Sequence, residues 1–173
     1  MIYSFIQYLE ITSILNFKNK NMLEVGQKAP LFTGKTHKGE IFSLENQKGK
    51  KLILFFYPKD NTPGCTAEAC NLSENLDMWK QKGYEIVGVS PDKEVSHKSF
   101  IVKYHLRQTL ISDTEHQILE LYEAWGEKKN YGKTYFGVLR KTYVIDENGV
   151  ITHIFNKVDT KNHSEQILNV IGE

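Results

Sequence analysis

The sequence predicts an α/β sandwich around a mixed sheet. Three observations carry that reading: one continuous apolar run, strands and helices alternating after it, and a hairpin followed by a last helix. The run is Lys51 to Tyr57, KLILFFY. Its unbroken apolar and aromatic character is the pattern of a strand covered on both faces, so it is assigned the centre of the sheet. Tyr84 to Ser90, YEIVGVS, reads as a second strand. Lys141 to Asp146 and Val150 to Phe155 read as a hairpin turning through Glu147, Asn148 and Gly149.

Helices fill the intervals. Thr66 to Lys82 places Cys65, Ala69, Leu72, Leu76 and Trp79 at spacings of four and three, one apolar face of a helix that stops at Gly83. Ser90-Pro91 suits a helix start, and the following stretch sets Phe100, Ile101 and Tyr104 on one side. Ser112 with Glu115 forms a capping-box pattern ahead of Ile118, Leu119 and Tyr122. Asn162 with Glu165 repeats it before Ile167, Leu168 and Ile171.

Composition narrows the function classes. The chain has 173 residues, 40% of them apolar, which suits one domain with its own core. A formal net charge of +1, with no basic run interleaved with aromatics, argues against a nucleic-acid partner. Residues 1–21, MIYSFIQYLEITSILNFKNKN, differ from the rest. Glu10 interrupts the apolar stretch, no cationic segment precedes it, no small-residue cleavage site follows it, and it has no arginine. It is far short of the roughly 20 apolar residues a membrane helix needs. The expectation is a weakly structured extension, translated from a start upstream of Met22, on a domain of residues 22–173 that works in the cytoplasm away from membranes.

Two cysteines are too few for a disulfide-stapled secreted scaffold, which points to reactivity. Directly after the apolar strand comes Pro58-Lys59-Asp60-Asn61-Thr62-Pro63-Gly64-Cys65, a cysteine on a turn and in the first turn of the next helix. There, free N–H groups and the positive end of the helix dipole stabilise a thiolate. A thiol whose pKa falls from about 8.5 to about 6 gains roughly thirtyfold in thiolate at neutral pH, about 2 kcal/mol. An efficient enzyme needs more than that, from groups that hold the substrate and the charge developing on its leaving atom. Thr62 is one candidate, equally readable as a helix N-cap or turn residue. Arg140, one of two arginines, is another, although taken alone it reads as a surface cation. Pro58 and Pro63 are either turn punctuation or a shield beside the nucleophile.

Cys70 is either a resolving partner or a small buried apolar residue. Five residues along an α-helix separate Cα atoms by about 8.7 Å and rotate side chains about 140° apart, whereas a disulfide needs Cα atoms within about 7 Å. A bond between Cys65 and Cys70 therefore requires the helix's first turns to unwind. The C-x4-C spacing and the scattered His37, His97, His105, His116, His153 and His163 do not suit zinc, and the gap is too wide for a C-x2-C dithiol. A Cys–His hydrolase stays open on spacing alone, although no histidine is singled out.

Pro58, Thr62 and Cys65 reproduce the P-x3-T-x2-C signature of peroxiredoxins, and FYPKDNTPGCTAEAC resembles their bacterioferritin-comigratory, or Q-type, subgroup. Trp125-Gly126-Glu127-Lys128, Tyr131-Gly132-Lys133-Thr134-Tyr135, and Arg140 through Asp146 with Gly149 are similar to segments of that subgroup in the same order. The likeness runs from about Leu23 to the C-terminus. It implies a thioredoxin-like fold, a central mixed sheet flanked by helices, and a thiol peroxidase of hydrogen peroxide and organic hydroperoxides. By the same resemblance Cys65 is the peroxidatic nucleophile that becomes a sulfenic acid and Cys70 the resolving cysteine of the same chain. Thr62 and Arg140 would orient the peroxide, with Pro58 shielding the thiolate. Thioredoxin or a similar dithiol carrier, fed by NADPH through thioredoxin reductase, would return the electrons. No metal, haem or flavin is implied, and a monomer suffices because both cysteines lie in one chain. Two rivals from other classes are a thiol–disulfide oxidoreductase acting on proteins and a non-catalytic redox-sensing module.

Overall fold

The computed structural model describes residues 22–130 and 132–172; the expected extension over residues 1–21 lies outside them. The strand predicted from KLILFFY is β3, Lys51–Phe56, and every residue after Lys51 is buried. Its alternate side chains supply two different cores. Leu52, Leu54 and Phe56 join Val87, Val89, Tyr122, Tyr143 and Ile145 on one face. Ile53, Phe55 and Tyr57 join Ala69, Leu72, Trp79, Phe100 and Ile167 on the other. A strand with both faces covered has no polar side, which explains its unbroken apolar run.

Around β3 stand β1 (Thr33–Thr36), β2 (Ile41–Ser43), β4 (Tyr84–Ser90), β5 (Thr109–Ser112), β8 (Lys141–Ile145) and β9 (Ile151–Phe155). They form a seven-stranded mixed sheet in the order β2-β1-β5-β4-β3-β8-β9. The pairs β3/β4 and β4/β5 are parallel, and β3/β8, β8/β9, β1/β2 and β1/β5 are antiparallel. A separate two-stranded ribbon pairs β6 (Trp125–Asn130) with β7 (Lys133–Val138). The β8–β9 hairpin turns as expected, with Asp146 Oδ1 accepting from the amides of Asn148 and Val150 and Gly149 at φ 74°. The strands β1, β2, β5 and the ribbon were not foreseen. The first three are short, and β1 carries Gly34 where a Cβ would stand 2.5 Å from Ile111 Cγ2.

The long helix expected over Thr66 to Lys82 is two helices, α1 (Pro63–Glu74) and α2 (Leu76–Gln81). Asn75 divides them, its side-chain amide donating to Asn71 O at 2.8 Å in competition with the helical pattern. The apolar face is nevertheless continuous, since Cys65, Ala69, Leu72, Leu76 and Trp79 share one core. α3 (Glu94–Tyr104) begins four residues later than Ser90 suggests, because Ser90 ends β4 and its hydroxyl donates to Asp92 Oδ2. Ser112 does not cap α4 (Gln117–Leu121). It ends β5 and donates to Asp92 O, while Asp113 Oδ2 accepts from Leu119 N. Asn162 precedes α5 (His163–Ile171) without a side-chain cap, and Asn71 from α1 supplies one by accepting from Ser164 N at 2.8 Å.

Candidate active site

Strand β3 ends against the loop of residues 58–62, and α1 starts directly behind it. Thr62 is the N-cap residue, in extended conformation, and Pro63 stands at the first helical position, where its missing N–H costs nothing. The first bond of the helix runs from Thr66 N to Thr62 O at 2.8 Å. The amides of Gly64 and Cys65 therefore have no acceptor within the helix and face its open end. Cys65 is the third residue of α1 and its side chain enters the core, leaving it 2% exposed.

Arg140 comes to this point through strand register. Phe56 of β3 pairs with Lys141 of β8, so the residue before Lys141 stands level with the end of β3, where the loop departs. Its Nη2 donates to Cys65 Sγ at 3.1 Å and its Nη1 donates to the Glu68 carboxylate. The guanidinium lies over the first turn, 3.6 Å from where a Gly64 Cβ would stand. Burial disfavours its charge, but Glu68 and Cys65 outweigh that, and the Arg140 pKa is raised. The surface-cation reading is excluded, since the side chain is only 21% exposed.

Glu68 was missed in the sequence, although the signal was there: a glutamate three residues after Cys65 falls on the helix's buried face. It is fully buried. Burial raises its pKa to about 7, partly opposed by Arg140. Oε1 has no hydrogen-bond partner, and His163 Nε2 lies 3.9 Å away. That histidine is itself fully buried between Thr142 Oγ1 (2.8 Å) and Gln166 Oε1 (2.9 Å). Desolvation brings its pKa down to about 4, so it stands neutral beside the pair.

Thr62 is half-buried, and its hydroxyl donates to Lys59 O at 2.9 Å rather than capping the helix. Its oxygen keeps lone pairs free to accept. Pro58 is half-buried in the same loop. Cys70 sits on the same helix as Cys65, partly buried against the core, and both thiols are free. Burial, with Glu74 adding to it, raises the Cys70 pKa. With α1 continuous from Pro63 to Glu74, the two Cα atoms are held about 8.7 Å apart by helical geometry. Among the described residues no group of three or more His, Cys, Asp or Glu side chains could hold a metal ion, and no helix is long and apolar enough to cross a membrane.

The AhpC/TSA family pattern matches residues 25–154. Peroxiredoxin Bcp of Escherichia coli K12 is 40% identical over 153 residues, 88% of this chain and 98% of that protein. Peroxiredoxin Bcp of Bacillus subtilis 168 is 40% identical over 151 residues, 87% of this chain and 96% of that protein. Among solved structures, peroxiredoxin Q of Xanthomonas campestris superposes with a TM-score of 0.77 at 30% identity, covering 82% of this chain and 89% of that one. A PrxQ variant from Xylella fastidiosa superposes with a TM-score of 0.81 at 26% identity, covering 88% and 97%. The buried thiol, its guanidinium partner and these likenesses agree on one conclusion: the chain belongs to the AhpC/TSA family, has the thioredoxin-like peroxiredoxin fold, and is a thiol peroxidase.

Proposed function

We propose that Cys65 reduces hydrogen peroxide and organic hydroperoxides, that Cys70 of the same chain resolves the product, and that thioredoxin or a similar dithiol returns the electrons. The observation that carries this reading is the fork of Arg140, which joins Cys65 Sγ to the Glu68 carboxylate at the open end of α1. The thiolate attacks one peroxide oxygen. An S–O bond forms as the O–O bond breaks, and the leaving oxygen takes up the proton that the Cys65 thiol released on ionising and departs as water or an alcohol. The free amides at the start of α1 and the Arg140 guanidinium face the place where negative charge develops. Thr62, donating to Lys59 O, accepts the peroxide's own O–H. Pro58 shields the site from bulk water.

Cys70 then attacks the Cys65 sulfenic sulfur, and the S–S bond forms as the S–O bond breaks. The departing oxygen takes up the proton released by the Cys70 thiol and leaves as water, with a disulfide within one chain. The intact helix forbids that bond, so the first turns of α1 unwind in each cycle. A dithiol then reduces the disulfide, drawing on NADPH through thioredoxin reductase. No prosthetic group and no second subunit are needed, and we read the protein as a monomer of the cytoplasm with residues 22–173 as its catalytic domain. The breadth of substrate follows a relative, the bacterioferritin comigratory protein of Xanthomonas campestris, whose structures address alkyl peroxide reduction.

Peroxide consumption with thioredoxin, its reductase and NADPH tests this. Turnover should disappear in Cys65→Ser and stall after about one equivalent in Cys70→Ser. Turnover that survives loss of Cys65 overturns the assignment of the nucleophile. Sustained turnover in Cys70→Ser overturns the assignment of the resolving thiol. Slow reaction with peroxide beside fast exchange with protein disulfides would identify an oxidoreductase instead.

A further inference from the structure

Behind the loop of residues 58–62 lies a buried polar cluster that the peroxide chemistry does not use. Its centre is Asp60, only 4% exposed although it carries a carboxylate. Asp60 Oδ1 accepts from Tyr57 OH at 2.7 Å, and Oδ2 accepts from Ser96 Oγ at 2.7 Å and pairs with His97 Nδ1 at 2.9 Å. The backbone N–H of Asp60 donates to Asp92 Oδ2 at 2.9 Å. The partners are fixed in their turn. His97 is fully buried and its Nε2 bridges to Ile111 O of β5 at 3.2 Å. Asp92 accepts from Ser90 Oγ at the end of β4. Tyr57 is fully buried, and burial with the Asp60 charge beside it raises its pKa well above the usual phenol value, so it stays a donor.

One residue in the middle of the loop is thus tied to the ends of three sheet strands and to α3. Asn61, the next residue, turns the chain in the left-handed region at φ 60°, and Thr62 follows. An anchored residue and a turn of restricted backbone geometry leave Thr62 and the start of α1 little freedom relative to the sheet. Such ties fix the loop's position, and displacements of about 1 Å at a reacting centre cost up to about a hundredfold in rate.

We propose that Asp60, held by Tyr57, Ser96 and His97, is a positioning residue for peroxide reduction: it fixes the 58–62 loop so that the Thr62 hydroxyl meets the peroxide in line with Cys65 Sγ. This rests on the reading of Thr62 as the peroxide acceptor. The anchor acts on orientation and not on the sulfur, whose polar neighbour, Arg140, comes from the other side of the sheet order through β8.

The test compares two reactions of the same thiol in a Cys70→Ser background. Oxidation of Cys65 by hydrogen peroxide needs the oriented loop, whereas alkylation by iodoacetamide does not. Asp60→Asn should slow the peroxide reaction about tenfold or more and Ser96→Ala about threefold, with alkylation within about twofold of the parent in both. Ser96→Ala removes one hydrogen bond from a half-buried site, so it reports even where Asp60→Asn fails to fold. Peroxide rates unchanged in the folded variants overturn the proposal. So do peroxide and alkylation rates that fall together with melting temperature, which would mark a role in stability alone. Thr62→Val separates the two layers. If it is slow while the Asp60 and Ser96 variants are fast, the anchor fails and the Thr62 reading stands; if it is as fast as the parent, that reading fails and takes the proposal with it.

Discussion

Arg140 does with one side chain what two separate cations would otherwise do. Its planar head sends Nη1 to Glu68 and Nη2 to Cys65 at the same time, a division that the single ammonium of lysine cannot reproduce. Glu68 holds that head in place at a cost in solvation. Its carboxyl is raised from 4.5 to about 7, chiefly by burial. The folded chain therefore keeps a proton there that the unfolded chain releases, and stability from this group falls as pH rises from about 4.5 to 7, by an amount on the order of 3 kcal/mol. His163 has the opposite sign. Its pKa is lowered from 6.5 to about 4 by desolvation, so its contribution grows as pH rises across that interval. Glu68→Gln removes the first effect and leaves the second. Urea unfolding from pH 4.5 to 6.5 should thus show stability rising more steeply in the variant than in the parent, and parallel curves would mean Glu68 does not titrate in this range. In the sequence Cys65 and Arg140 were visible from position and rarity. Glu68 was visible only as a charge on an apolar helix face, and His163 not at all, because Thr142 and Glu68 reach it from distant segments.

Helix α1 has two halves with different attachments. The first turn carries Cys65 and meets Arg140. The second is fastened from outside: Gln108 Nε2 donates to Ala69 O at 2.9 Å, Asn71 bonds Lys161 O and Ser164 N, and Ser73 Oγ accepts from Arg107 N. A helix that must open for Cys65 to reach Cys70 is held shut by these tethers, the Gln108 bond being buried. Losing one hydrogen bond of about 1 kcal/mol should make opening roughly fivefold more frequent. Hydrogen exchange over residues 66–72 should accordingly speed up by that factor in reduced Gln108→Ala, and further in the oxidised parent. Unchanged protection on oxidation would exclude a disulfide between these two cysteines. The helix itself was legible from its apolar spacing, and its ends were not. Asn75, Asp113 and Asn71 decide where helices stop or are capped, and each acts through a side-chain hydrogen bond. Those of Asp113 and Asn71 join residues that pattern alone does not connect.

Across the whole molecule the sheet transmits position. The loop 58–62, Arg140 and the cluster around Asp60 all depend on where β3 lies between β4 and β8. Gly88 of β4 leaves the space that the side chains of Phe55 and Leu110 on its two neighbouring strands occupy. A Cβ there would stand 2.6 Å from Phe55 Cζ and 2.8 Å from Leu110 Cδ2, both side chains fully buried. Gly88→Ala should therefore cost about 1–3 kcal/mol in urea unfolding; an unchanged unfolding midpoint would mean that the two side chains move aside freely. Sequence made the sheet's middle legible, because strands with two buried faces have no alternation to obscure them. The edge strand β2 and its neighbour β1 span three and four residues and are partly exposed, too short for a period to emerge. The ribbon of β6 and β7 carries four exposed residues in a row from Lys133 to Phe136, so its aromatics, Tyr135 and Phe136, mark no buried face and no period.

The depth of Cys65 has a consequence beyond rate. A sulfur 2% exposed can be met by a small free molecule such as a hydroperoxide, whereas a disulfide embedded in another protein cannot bring its sulfurs into line with it. The folded, reduced enzyme is thus insulated from the thiol traffic around it: its buried sulfur is out of reach of the disulfides of neighbouring proteins.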